Sequence, residues 1–186
     1  MSNPLEMLEI INENDEVIGL ETRKKIHKEG LLHREIHIWF ITPNREIIFQ
    51  HRAKDKDTYP DKLDATVGGH VEPNDSYEKT AIKECKEETG LEIDLNKLLF
   101  LAKIRKESFD EKTGLKNNTI RAQYAYLYEG DISDLQVEEG KAEGFEKWKI
   151  DELENLSEIN KNKFIELIFE EDMLKLFNIA KEKLLK

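Results

Sequence analysis

The chain has 186 residues, 38% of them hydrophobic and 37% charged, with 29 basic against 40 acidic side chains and a formal net charge of −11. That length suits one domain with a buried core, and the acidic balance argues against a duplex nucleic-acid binder, which needs a basic face. The single cysteine, Cys85, excludes a disulfide within the chain, and no apolar run approaches the roughly 18 residues of a membrane span.

Met1 to Glu6 lack the basic and apolar regions of a signal peptide, so the expected compartment is the cytoplasm. Residues 7–19 read as a β-hairpin: Leu8 to Ile11, an Asn/Asp-rich turn over Asn12 to Glu16, then Val17 and Ile18. Residues 21–29, ending before Gly30, are charged and suit one short helix. Residues 34–42 alternate, with Ile36, Ile38 and Phe40 on one side and Trp39 and Ile41 on the other, as in a strand covered on both faces. Pro43-Asn44 turns the chain into a second strand at Ile47 to Phe49, and a polar loop follows from Lys54 to Lys62.

Residues 76–89 carry helical spacing, with Tyr77, Ala81 and Cys85 on one stripe, Asp75 or Ser76 as N-cap and Gly90 just past the end. Two strands are predicted near 98–107 and 119–128, joined by Asp110 to Gly114, and one more at 145–150. Met173, Phe177, Ala180 and Leu184 then mark a C-terminal helix. Strands and helices mix without strict βαβ alternation, which predicts an α/β or α+β fold with a mixed sheet. The chain, 1–186, is read as one domain with 155–186 as a C-terminal helical extension.

The chemistry concentrates between Gly68 and Leu91. Glu84, Glu87 and Glu88 fall at i, i+3 and i+4, three carboxylates on one helix face. Like charges so spaced repel, and a hard divalent cation such as Mg²⁺, which takes oxygen ligands and keeps waters and substrate phosphates, would relieve them. In a chain this rich in Glu the triplet alone also fits a solvated helix face. Arg52, Lys54 and Lys56 form a local basic cluster that suits either phosphates or a solvated loop. Arg52 is the best placed, since its fork can grip two oxygens.

From Gly69 the pattern runs five residues to Asp75, seven more to Lys83-Glu84-Cys85, then Glu87-Glu88 and Gly90-Leu91. It closely resembles the box of the Nudix hydrolases, with Asp75 standing for Glu and Lys83 for Arg. The opening hairpin, Gly30 to Arg34, Gln50 to Ala53, the Lys54–Lys62 loop and Gly68-Gly69-His70-Val71 resemble the subgroup related to isopentenyl-diphosphate isomerase, over about residues 8–150.

The resemblance implies an α/β/α sandwich with a mixed sheet. It implies Mg²⁺- or Mn²⁺-dependent hydrolysis of a diphosphate linkage in a small molecule, a nucleoside diphosphate joined to another moiety. Glu84, Glu87 and Glu88 are then the catalytic metal ligands, with the Gly68 carbonyl as a further ligand. Arg52, Lys54 and Lys83 meet substrate, and Glu143, in a loop with Glu138 and Glu139, supplies a carboxylate that binds metal or acts as base. A homodimer stays open.

Two other readings remain. A non-catalytic nucleotide-binding module is suggested by the departures at Asp75 and Lys83. Isomerisation of isopentenyl diphosphate is disfavoured, because Gly68 stands where the isomerase has its catalytic Cys and Arg121 or a neighbour stands where it has a Glu. His27, His33 and His70 resemble that enzyme's metal histidines and raise a second metal site.

Overall fold

The computed structural model describes residues 6–56, 58–111 and 113–186. Met1 to Leu5, where the signal-peptide reading mostly falls, lie outside the described residues, as do Asp57 of the polar loop and Lys112 of the 110–114 turn.

The chain opens with an antiparallel pair, β1 (Met7–Ile11) and β2 (Val17–Thr22), which leads into helix α1 (Arg23–Glu29). The Thr22 side chain accepts from the Lys25 N–H to cap α1, and Gly30 closes it. The main sheet has seven strands. Its path runs from β5 (Leu63–Asp64) through β4 (Glu46–Arg52), β3 (His33–Ile41) and β8 (Lys116–Leu127) to β7 (Leu98–Phe109). Strand β6 (Val67–His70) pairs with the first half of β3, and β9 (Ala142–Lys149) pairs with β4. Strands β3 and β8 are parallel and the other pairs antiparallel, so the sheet is mixed.

The alternation read along β3 sets the layers. Ile36, Ile38 and Phe40 join Val67, Ala122 and Tyr124 beneath helix α2 (Tyr77–Thr89), which adds Tyr77, Ala81 and Cys85. Trp39 and Ile41 face the other way, with Phe49, onto α5 (Glu171–Leu184), which adds Met173, Phe177 and Ala180. Trp39 is fully buried, meets Phe177 edge-on at 4.9 Å and donates its indole N–H to Gln123 at 2.7 Å. The C-terminal stretch, with the short helices α3 (Ile150–Leu153) and α4 (Glu158–Lys161) before α5, therefore closes the second face of the sheet. The result is the expected α/β/α arrangement.

Strand β2 runs on to Thr22, so α1 starts at Arg23 rather than 21, β8 starts at Lys116 rather than 119, and three further elements depart from the sequence reading. Strands β5 and β6 are too short and too poor in apolar residues to show periodicity. They form because β4 and β3 offer paired edges. The last strand begins at Ala142 rather than 145, and Ile150 already belongs to α3.

Candidate active site

Helix α2 starts at Ser76, whose hydroxyl accepts from the Lys79 N–H at 3.2 Å, so Ser76 rather than Asp75 is the cap. It ends at Gly90, whose φ of 74° lies in the left-handed region that favours glycine, and a Cβ there would also strike Gln136. Between these caps run two parallel stripes. Tyr77, Ala81 and Cys85 point into the core. The neighbouring stripe, Thr80, Glu84 and Glu88, is also buried but polar, and it leans on β6.

That contact is intimate. A Cβ at Gly69 would fall 2.4 Å from the Glu84 carboxyl carbon, so the absence of a side chain there is what admits the carboxylate. The Gly68 N–H donates to Glu88 Oε2 at 3.2 Å, and Gln50 Nε2 donates to the same oxygen at 3.1 Å. Glu88 is 2% exposed and Glu84 9%, while Glu87 is exposed. Burial pushes the Glu84 carboxyl up to about 7; Lys141 opposes the rise, and Glu88 and Glu87 add to it. Burial also raises Glu88, against the pull of Lys141, the Gly68 N–H and Gln50. Two carboxylates are thus held away from water with less compensation than their charge requires.

The cation that reaches them is Lys141, just before β9. Its Nζ lies 3.5 Å from Glu84, 3.4 Å from Glu88 and 2.9 Å from Glu138. Sequence reasoning did not find Lys141. It sits in a turn far along the chain, and no local pattern marks it.

The remaining expected site residues are placed as follows. Glu143 is exposed on β9, and it is Glu138 that approaches the cluster, through Lys141. Arg52 lies at the end of β4, with its guanidinium donating to Asp64 at 3.1 Å and to the carbonyls of Thr58 and Tyr59 at 2.8 and 3.2 Å. It binds the following loop back to the sheet. Lys54 is exposed in that loop, and Lys56 lies half-buried near Arg52 and Lys141. Lys83, expected to meet substrate, lies on α2 with its ammonium paired to Glu72.

A second cluster lies where α1, β3 and β6 meet. The ligating nitrogens of His27, His33 and His70 all fall within 4.8 Å of one another. His33 Nδ1 lies 2.9 Å from the Leu31 carbonyl, which leaves a buried Nε2 with no hydrogen-bond partner. His27 Nδ1 lies 3.3 Å from the Lys116 carbonyl, and its Nε2 is 3.1 Å from His70 Nε2. With Nδ1 donating to a carbonyl, each Nε2 is left as a lone pair. Burial lowers all three histidines, His27 to about 4, so the neutral form prevails. Beside them, Glu35 approaches His70 at 3.3 Å and accepts from Arg121 at 2.9 and 2.5 Å.

A mixed sheet lies between helical layers, with a carboxylate-bearing helix seated on a glycine pair, and comparison with known proteins gives this arrangement a family. Residues 31–168 match the NUDIX domain family. An uncharacterized Nudix hydrolase of Clostridium acetobutylicum is 30% identical over 151 residues, covering 80% of this chain and 72% of that protein. One of Streptomyces coelicolor is 36% identical over 90 residues, covering 48% of this chain and 50% of the other. Among solved structures, a Deinococcus radiodurans protein superposes with a TM-score of 0.70 at 22% identity, covering 94% of this chain and 99% of its own. The NUDIX domain of Shewanella oneidensis NrtR, complexed with ADP ribose, superposes with a TM-score of 0.56 at 13% identity, covering 88% and 99%. The chain belongs to the Nudix family. It is a Nudix hydrolase, and hydrolases of this family generally use divalent metal ions. No described helix is long and apolar enough to cross a membrane.

Proposed function

We propose that this enzyme hydrolyses the diphosphate linkage of a nucleoside diphosphate joined to another moiety, with Mg²⁺ or Mn²⁺ held at the α2 carboxylates. The carrying observation is the pair Glu84 and Glu88, buried against Gly69 and Gly68 with incomplete compensation of charge. The donors suit a hard cation: carboxylate oxygens of Glu84, Glu87 and Glu88 on one helix face, with glycine backbone beside them. When bound, the cation would neutralise diphosphate oxygens and lower the pKa of the attacking water.

The chain's own residues do the positioning. Gly68 and Gln50 fix one oxygen of Glu88, leaving its other oxygen for the site. Arg52 anchors the Thr58–Tyr59 segment and so shapes the wall on which Lys54 and Lys56 are carried toward an anionic substrate. NrtR's ADP ribose, bound on the same fold, supplies the first probe. The test is a panel of nucleoside diphosphate derivatives incubated with Mg²⁺ or Mn²⁺, with products identified by mass spectrometry. Metal-dependent cleavage at the diphosphate supports the reading. Tight binding without turnover of any compound would favour a nucleotide-binding module instead.

The histidine cluster supports a second divalent-cation site, of nitrogen-preferring character, at His27, His33 and His70. Its support is the orphaned Nε2 of His33 facing two further imidazoles. Binding of Co²⁺ with a visible d–d spectrum, lost in His33→Ala, is expected. The same spectrum in both proteins would remove this site.

A further inference from the structure

The two buried carboxylates of α2, Glu84 and Glu88, face a lysine. Lys141 Nζ lies within 3.5 Å of both Glu84 and Glu88. It is held by a fixed backbone. The Lys141 carbonyl accepts from the Ala53 N–H at 3.1 Å, and its N–H closes a turn onto the Glu138 carbonyl at 3.0 Å, with Gly140 at a φ of 76°. Upstream, the Gln136 N–H is bound to the Thr89 carbonyl at 3.0 Å, so the segment is tied to α2 itself. The side chain is differently placed. A third of it is exposed, and four methylenes separate the ammonium from the anchored backbone.

Among the described residues, the donor atoms of Glu84, Glu87 and Glu88 do not converge as those of the three histidines do. Lys141 reaches both Glu84 and Glu88, so part of the charge a metal would supply there is already supplied from within the chain. An ammonium is a single charge with three donors, and it meets each of these carboxylates at long range. A divalent cation carries twice the charge and binds oxygen directly. The two cannot both sit against the same buried oxygens without strong repulsion at such a separation.

We propose that Lys141 is a resident counter-ion of the Nudix-box carboxylates, displaced when a divalent cation binds. The metal-free protein keeps its buried carboxylates paired, and metal binding carries the cost of expelling one ammonium. This inference rests on the metal reading above.

The test is Mn²⁺ titration by calorimetry on wild type, Lys141→Met, Lys141→Arg and Glu88→Gln, with thermal unfolding of each in EDTA. Lys141→Met should bind Mn²⁺ about tenfold more tightly, because the competing charge is gone, and should unfold at lower temperature in EDTA. Lys141→Arg, which keeps the charge, should bind as wild type to within about threefold. If Lys141→Met does not fold, Lys141→Gln takes its place with the same expectation. Unchanged or weaker Mn²⁺ binding in the neutral variant, alongside weakened binding in Glu88→Gln, overturns the role of Lys141 and leaves the metal site standing. Mn²⁺ binding indifferent to Glu88→Gln overturns the metal reading itself.

Discussion

Helix α2 carries a charge cluster at each end, and the two are built in opposite ways. At its N-terminal end Tyr77 donates to Asp15, which also receives Arg34 at 2.6 Å and the Lys103 ammonium. Burial opposes the charge on Asp15, but hydrogen bonds from Lys103, Arg34 and Tyr77 outweigh it and hold its carboxyl below the usual range. At the C-terminal end, Glu84 and Glu88 share one lysine with Glu138, and their carboxyls are driven upward. One cluster has donors to spare, and the other has anions to spare. A fold can use the first as a clamp between the β1–β2 hairpin and the helix. The second costs stability that a bound cation would return, and on the proposed reading that asymmetry separates the functional end of the helix from the structural one.

The largest expected effect tests the anionic end. Glu88→Gln should lower turnover of whichever compound the panel identifies by two orders of magnitude or more, roughly the cost of losing a key electrostatic group, because a neutral amide is a poor ligand for a hard cation. It should not lower the unfolding temperature in EDTA, since it removes a buried anion. Asp15→Asn should do the reverse, keeping most of the activity while losing about 1–3 kcal/mol of stability, because it weakens the charge-assisted hydrogen bonds that Arg34, Lys103 and Tyr77 make to this carboxylate. If both variants lose stability equally, the contrast between the two ends is wrong.

Phe177→Ala should cost about 3–5 kcal/mol in denaturant unfolding, because the ring is fully buried against Trp39. A loss below about 1 kcal/mol would show that α5 is dispensable rather than the second cover of the sheet.

Gly69→Ala sharpens the comparison from the backbone side. Its Cβ would occupy the place of the Glu84 carboxyl, whose side chain can swing aside, so the fold should survive. Mn²⁺ affinity should fall by about 10–100-fold, as for other groups that orient ligands. Wild-type affinity would mean that Glu84 does not need its observed position.

The smallest effect concerns Cys85. Fully buried, with burial pushing its thiol up to about 11, it should react with thiol reagents in the native protein only at the rate of local opening. Rapid labelling without denaturant would show the stripe of Tyr77, Ala81 and Cys85 to be misplaced.

Much of this was legible along the chain, for identifiable reasons. The α2 caps, the burial of Cys85 and the two-sided strand at β3 follow from local rules of capping and periodicity, which need no knowledge of distant residues. The carboxylate face was legible because helical spacing fixes it. What sequence could not supply is pairing at long range. Lys141 is 53 residues from Glu88, and Glu138 outranks Glu143 only because the Glu138–Lys141 turn folds over α2. Lys83 reads as a residue that meets substrate, and only the Gly68–Asp75 connection, which brings Glu72 within its reach, shows what its ammonium pairs with. Arg52 reads as a phosphate grip, yet Asp64 and two loop carbonyls surround its guanidinium. The histidine trio spans three elements, and its convergence depends on β6 adding to β3, a pairing with no sequence signature of its own.

The central claim is that the buried carboxylates of α2 hold a divalent cation. Electron paramagnetic resonance of Mn²⁺ titrated into the wild-type enzyme and into a Glu84→Gln, Glu88→Gln double variant tests it most directly, with His33→Ala as background to remove any ion bound at the histidines. The account predicts a bound-Mn²⁺ signal that saturates at one ion in the His33→Ala protein and is lost when the two glutamates are also replaced. An equal signal with and without the two carboxylates would contradict it.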